Sequence, residues 1–202
     1  MIAIIDYGSS NIASIANALE YLNQDYSLVN NGNEMKNFHK FILPGVGSFK
    51  YAMQNLSKKK FIEPIKDIIN FPNKSILGIC LGMQLFYSWS EEDNGCAGMD
   101  IINGNVGRIN NNKLPVPNTG WRQCKFTNRS DGLFKNIDDN SLFYFVHSFG
   151  CHAHDKNIVT SEILYTDKID ASFNYKNLYG TQFHPEKSQS VGLSLLKNFI
   201  YM

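Results

Sequence analysis

Through its first half the chain alternates short apolar runs with segments of helical period. Residues 2–5 read as a buried strand and 6–11 as a turn, after which Ile12, Ile15, Ala16 and Leu19 recur at helical spacing. Further strands are expected at 26–29, 38–43 and 75–79, helices at 49–56, 61–69 and 81–89, and a loop at Pro44-Gly45-Val46-Gly47. Continuously apolar strands need cover on both faces, which crossover helices supply, so this order predicts a mainly parallel sheet. The second half changes character. Aromatic or β-branched runs at 142–146, 158–164, 171–175 and 178–183 are separated by short polar turns and predict antiparallel strands, before a last helix over 191–201. The expected fold is α/β: a mainly parallel central sheet flanked by helices, with an antiparallel extension. No repeat, linker or shift in composition divides the 202 residues, so one domain over 1–202 is expected.

Composition narrows the function classes. A formal net charge of +1 with no basic stripe gives no footprint for a phosphate backbone, so no nucleic-acid partner is expected. The run Lys58-Lys59-Lys60 reads as a solvated helix end. The longest apolar stretch, 76–87, is broken by two glycines and a glutamine and falls short of the ~20 residues that span a bilayer. The N-terminus has neither a basic segment nor a small-residue cleavage site, and reads as a first strand rather than a signal peptide. Cys80, Cys96, Cys124 and Cys151 are widely spaced and form no CxxC pair, which argues against a zinc site or a disulfide framework. Reduced thiols in a cytoplasmic protein are the expectation. Neither GxGxxG nor GxxxxGK[ST] occurs, and no cofactor or metal is expected.

Gly78-Ile79-Cys80-Leu81-Gly82 sits where a strand is expected to turn into a helix. A lone cysteine is commonly just a small buried residue. Glycines two residues to either side of it reproduce the nucleophile-elbow pattern with Cys in place of Ser, in which a strained turn brings neighbouring backbone close. Cys80 would then stand at a helix N-terminus, where free N–H groups and the dipole favour a thiolate, with the Leu81 N–H positioned to donate to an oxyanion. In His184-Pro185-Glu186, the proline pushes His184 toward an extended backbone, in which residues two apart face the same way. The Glu186 carboxylate is therefore expected beside the imidazole, as the group that orients a base. Both segments follow expected strands and should meet at the carboxyl edge of the sheet. Pro44-Gly45-Val46-Gly47 is either an ordinary turn or a loop that offers backbone N–H groups to an oxyanion. Gln84, one helical turn after Cys80, is either a substrate-binding amide or a solvated residue. Cys151-His152-Ala153-His154 reads as a loop with too few ligands for a metal, and His147 as a satisfied core residue.

GICLGMQ at 78–84 with HPEKS at 184–188 resembles the class I, or triad, glutamine amidotransferases. DYGSSNIASI at 6–15, LPGVGSF at 43–49, YFVHSF at 144–149 and GTQFHPEKSQSVGLSLLKNF at 180–199 narrow the resemblance to the glutaminase subunits of imidazole glycerol phosphate synthase, from histidine biosynthesis. It covers the whole chain in order. It implies that Cys80 attacks the side-chain amide of glutamine, that His184 moves the protons, and that Glu186 orients His184. It also implies oxyanion contacts from Leu81 and the Gly45, Val46 and Gly47 loop, and substrate contacts from Gln84, Ser148 and Phe149. The implied partner is a (β/α)8 cyclase subunit in a heterodimer, which takes the ammonia. Asn11, Trp121, Tyr144 and Lys187 match family positions at or near that interface.

One stretch departs from the family pattern. Pro-His-Met-Gly-Trp-Asn is usual, and here it is Pro117-Asn118-Thr119-Gly120-Trp121-Arg122. Trp121 is expected in a Pro-rich loop between regular elements, and its three changed neighbours read as an interface retuned to its own partner. They keep open an alternative in which a paralogous glutaminase feeds a sugar amidotransferase in surface-glycan synthesis. Two other classes weigh less. An α/β-hydrolase-type cysteine esterase should carry its acid well before its histidine, unlike His184-Pro185-Glu186. A non-catalytic scaffold would not need all three triad residues.

Overall fold

The computed structural model describes residues 1–8, 11–110, 112–128 and 132–202. Ser9 and Ser10, in the turn expected at 6–11, lie outside the described residues. Strand β1 (Ile2–Ile5) leads into helix α1 (Ile12–Tyr21) and strand β2 (Tyr26–Val29). Strand β3 (Lys40–Leu43) is joined by α2 (Phe49–Lys58) and α3 (Ile62–Asp67) to β4 (Ser75–Ile79), which runs into a four-residue helix α4 (Leu81–Gln84). Then come β5 (Tyr87–Ser90), β6 (Cys96–Ala97), β7 (Ile102–Arg108), β8 (Asn118–Gln123) and β9 (Lys125–Phe126). The remaining strands are β10 (Leu142–His147), β11 (Phe149–Ala153), β12 (Val159–Leu164), β13 (Lys168–Tyr175) and β14 (Leu178–Thr181), followed by α5 (Gln189–Tyr201).

The main sheet runs β2-β1-β3-β4-β14-β13-β11-β7-β5-β6, with β12 and β9 added at β13. Its first five strands are mutually parallel, and from β14 to β13 onward most of the pairing is antiparallel. The expected architecture is therefore present, and β14 is its seam: parallel to β4 on one side, antiparallel to β13 on the other. The inner parallel strands β1, β3 and β4 are buried on both faces with strict alternation, while Leu28 of the edge strand β2 is exposed. Ala3 and Ile5 of β1 pack with Phe49 and Leu56 of α2, while Ile2 and Ile4 pack with Leu19 of α1 and with Leu195 and Phe199 of α5.

The helix expected at 81–89 is shorter than that. It ends at Gln84, and the chain enters β5, where Tyr87 pairs with Ile102 and Trp89 with Asn105 of β7. Tyr87-Ser88-Trp89-Ser90 alternates large and small residues with period two, a strand signal masked by the apolar run before it. Strands β8 and β11 fall where loops were expected. β8 pairs with β10 as a separate two-stranded sheet that sets Trp121 opposite Tyr144 and Asn118 opposite His147.

Three adjacent parallel strands position the site. Leu43 of β3 is in register with Gly78 of β4, and Ile79 of β4 with Thr181 of β14. The glycine loop, the cysteine elbow and the His-Pro-Glu segment thus leave the sheet together at its carboxyl edge. Among the described residues no helix is long and apolar enough to cross a membrane.

Candidate active site

Cys80 has φ 54° and ψ −110°, a conformation that L-residues rarely adopt. Its backbone is held at both ends. Cys80 N–H donates to the Thr181 carbonyl at 2.7 Å, and its carbonyl accepts from Met83 N at 3.1 Å and Gln84 N at 3.2 Å. The flanking glycines are there for space. A Cβ on Gly82 would lie 2.0 Å from the Leu43 oxygen, and one on Gly78 would lie 2.5 Å from the Phe86 ring. A Cβ on Gly45 would meet Gly82 N at 2.5 Å, so the elbow and the Pro44–Gly47 loop are packed backbone to backbone. Helix α4 has only four residues, so the dipole argued from sequence contributes little. The Leu81 N–H at its start has no acceptor within the helix.

His184 is fully buried, and its N–H donates to the Tyr144 carbonyl at 2.9 Å. Its Nδ1 donates to Glu186 Oε1 at 2.7 Å. The contact is the one expected, but its local origin differs. Residues Pro185–Lys187 form a 3-10 turn, so Glu186 reaches the ring by a reverse bend and not along an extended segment. Burial alone works against charge on this ring. The adjoining Cys80 sulfur and the Glu186 carboxylate outweigh it and raise the imidazole from 6.5 to about 10. Among the described residues Nε2 has no partner within hydrogen-bonding geometry, although the Cys80 sulfur beside it contributes to the rise.

Val46, Gly47, Cys80, Leu81, Gln84, Ser148 and Phe149, all expected site residues, line one pocket of about 360 Å³ together with Glu92, Pro117, Val146 and His147. Gly45, His184 and Glu186 lie behind its wall. Larger surface hollows, such as one of about 570 Å³ beside Lys40 and Lys74, contain none of these groups. Gln84 is 5% exposed and not solvated, and its Nε2 donates to the Phe149 carbonyl and to Gln182 Oε1, both at 3.0 Å. His147 is buried and satisfied, as expected, yet it also faces the pocket. Its Nδ1 donates to the Phe149 carbonyl at 2.8 Å and its Nε2 accepts from Asn118 Nδ2 at 3.0 Å. Burial, reinforced by the charge of His184 and opposed by the Phe149 carbonyl, lowers its pKa from 6.5 to about 4.

The four expected interface residues do not share one kind of surface. Trp121 is 38% exposed on β8, not in a loop, with its ring edge-on to Tyr144 at 5.8 Å. Lys187 is exposed on the 3-10 turn. Asn11 is instead 7% exposed, and its Nδ2 donates to Glu186 Oε1 at 2.6 Å. Of the departures beside Trp121, Asn118 turns inward, Arg122 is half-buried and Thr119 is exposed. Asn118 is fully buried against His147, and Arg122 Nε donates to Asn118 Oδ1 at 3.2 Å. An interface retuned at Asn118 is therefore excluded for lack of surface. Cys151 and His152 lie on β11, and no group of three His, Cys, Asp or Glu among the described residues could hold a metal.

Sequence reasoning missed Glu92 and Gln182. Among the described residues Glu92 is the one carboxylate on the pocket wall, accepting from Phe49 N at 3.0 Å, and burial raises its pKa. Gln182 was within reach, because it lies two residues before His184 and directly after a strand.

The family model for glutamine amidotransferase class-I matches residues 3–202. The imidazole glycerol phosphate synthase subunit HisH 1 of Campylobacter jejuni (strain RM1221) is 42% identical, with 99% of each chain covered. The subunit HisH of Chlorobaculum tepidum is 40% identical, with 98% of each covered. The solved structure of PurLQS from Thermotoga maritima superposes with a TM-score of 0.76 at 19% identity, covering 99% of this chain and 97% of that one, a likeness of fold. A match over nearly every residue, on a chain with this elbow and this buried His–Glu pair, makes the protein a member of the class-I glutamine amidotransferase family.

Proposed function

We propose that the chain is the glutaminase subunit of an imidazole glycerol phosphate synthase. As one cytoplasmic amidotransferase domain it hydrolyses glutamine to glutamate and ammonia. It passes the ammonia to a (β/α)8 cyclase subunit, which makes imidazole glycerol phosphate and aminoimidazole carboxamide ribotide in histidine biosynthesis. One observation carries the reading: a cysteine at positive φ, beside a buried histidine fixed by a carboxylate, in a chain 42% identical over its length to such a subunit.

In this reaction the Cys80 thiolate attacks the glutamine amide carbon, and the carbonyl electron pair moves to oxygen. Leu81 N–H and the Val46–Gly47 peptide are the donors available to that oxyanion on the pocket wall. An imidazole raised to about 10 holds its proton beside the sulfur, ready for the leaving nitrogen. Collapse expels ammonia and leaves a glutamyl thioester. His184, now neutral, takes a proton from water, whose oxygen attacks the thioester; collapse breaks the C–S bond, releases glutamate and restores the Cys80 thiolate beside the protonated imidazole. Glu92, the lone carboxylate of the pocket, is placed to pair with the substrate's α-ammonium, and Gln84 presents its free Oε1. Ammonia freed into neutral water would take up a proton and lose its nucleophilicity, so a docked acceptor is a chemical requirement.

A glutamine-analogue electrophile, diazo-oxo-norleucine, should label Cys80 and leave Cys96, Cys124 and Cys151 untouched by peptide mass spectrometry. Cys80→Ala should lose glutamine-dependent synthesis while the complex with the cyclase still works with ammonium salts. Wild-type glutamine hydrolysis in Cys80→Ala would overturn the mechanism.

A further inference from the structure

We propose that Gln182 is a catalytic residue, whose side-chain Nε2–H donates to the Cys80 sulfur and holds it as the attacking thiolate. The inference rests on the reading of Cys80 as nucleophile and adds a group to it. Gln182 is fully buried, and its Nε2 lies 3.6 Å from Cys80 Sγ.

The direction of that contact is fixed by chemistry. The Phe149 carbonyl is an acceptor only, so the arm of Gln84 that meets it at 3.0 Å must be the NH2 group. The second hydrogen of that nitrogen reaches Gln182 at 3.0 Å, and the atom it meets must be Oε1. Cys151 is compatible with this orientation. Burial and the charge of Asp170 push its thiol well above the usual range, so it remains S–H, and it lies 3.8 Å from the same Oε1. With the oxygen engaged by two donors, the arm of Gln182 that faces Cys80 is the NH2. Flipping the amide would strand buried donors against donors, so the interior holds this orientation.

A hydrogen bond given to sulfur favours its charged form, and it strengthens as charge develops. The protonated thiol has another partner, the Val146 carbonyl at 3.9 Å, so the two forms of Cys80 are held by different neighbours. Gln182 does not line the pocket and has no access to substrate. Its loss should therefore be read in kcat and in thiolate reactivity rather than in KM.

The test uses the full-length chain and its cyclase complex. Gln182→Met keeps the length of the side chain and removes the donor. Iodoacetamide, which alkylates the thiolate, should label Cys80 about five-fold more slowly at neutral pH in this variant. The kcat for glutamine should fall by a similar factor with KM nearly unchanged. Wild-type labelling in a variant with native circular dichroism would overturn the proposal. Because Gln182→Met also strips Gln84 and Cys151 of a partner, a second measurement uses the unaltered chain. The Gln182 side-chain amide resonance in ¹⁵N NMR should shift over the pH range in which Cys80 becomes reactive to iodoacetamide, and an immobile resonance would sink the proposal. Failure of the nucleophile reading is separable: Cys80→Ala would then keep its glutaminase activity, whatever Gln182→Met does to labelling.

Discussion

A single oxygen of Glu186 accepts from both His184 Nδ1 and Asn11 Nδ2, at 2.7 and 2.6 Å. The carboxylate is therefore oriented from two sides before it orients the imidazole. Glu186→Gln leaves the ring an acceptor but removes the charge that helps to raise it. We expect kcat to fall roughly ten- to hundred-fold, less than in His184→Ala, where the proton carrier itself is lost. Steady-state glutamine hydrolysis by the two variants decides this, and equal activity of Glu186→Ala and wild type would remove Glu186 from the site. Asn11 separates two roles. If it acts through Glu186, Asn11→Ala lowers kcat by about ten-fold and leaves partner affinity unchanged. A contact on the partner would instead weaken the complex in titration calorimetry and spare kcat. Cys80, His184 and Glu186 could be read from sequence because local constraints, glycines two residues away and a proline next door, mark them. Gln182 was missed although it stands two residues before His184, because its contact with Cys80 spans 102 residues, and Asn11 was named only for the interface, because its bond to Glu186 spans 175.

The Pro44–Gly47 loop is anchored unevenly. Tyr7 donates to the Pro44 carbonyl at 2.9 Å, Gly45 is pressed against Gly82, and Ser48 caps α2 while donating to Asp93 at 2.5 Å. Gly47, at φ +103° with open space around its missing side chain, is the free part. The Val46–Gly47 peptide is thus the piece able to turn an N–H toward an oxyanion, and a partner that biases it would gate the reaction. The isolated chain should be a poor glutaminase, activated when cyclase and its ribonucleotide bind, and a lone chain already at full rate would sink this. Gly45→Ala should cost ~1–3 kcal/mol in urea unfolding, since its Cβ would press on Gly82 N and on the Cβ and carbonyl carbon of Leu81, none of which can swing away. A partner docked on Trp121, as proposed, would lie a short way from the triad. Trp121 rests on Tyr144, whose carbonyl accepts from His184 N and whose N–H donates to Ser188 Oγ, itself bonded to the His184 carbonyl. Trp121→Ala should weaken partner binding more than ten-fold, about 1.4 kcal/mol, with the fold retained. β1, β3 and β4 were readable because each is apolar on both faces, whereas β14, expected among the antiparallel strands, runs parallel to β4. β8 and β11 were not readable, since Asn118–Gln123 and Phe149–Ala153 hold polar residues and glycines and become strands only by pairing with β10, β7 and β13.

Two histidines near Cys80, His184 and His147, make stability of the molecule as a whole depend on pH in opposite directions. His184 has a folded value of about 10 against 6.5 unfolded, so between these the native state binds the extra proton. Its contribution is complete below pH 6.5 and is lost as pH rises toward 10. His147 has a folded value of about 4 against the same 6.5, so the unfolded state binds the extra proton in that window. Its contribution is complete above pH 6.5 and is lost as pH falls toward 4. Stability should therefore peak near pH 6.5 and fall on both sides. Other groups titrate too, so the limbs are assigned by difference. His184→Gln should flatten the alkaline limb and leave the acid one. His147→Gln should do the reverse, because a neutral amide still gives the Phe149 carbonyl a donor but takes up no proton. Urea-unfolding midpoints across this range, for the wild type and both variants, measure each limb. An acid limb that survives in His147→Gln would mean that His147 does not stay neutral in the fold. The Asn118–His147–Phe149 hydrogen bonds, which need a bare Nε2 and a protonated Nδ1, would then have to be redrawn.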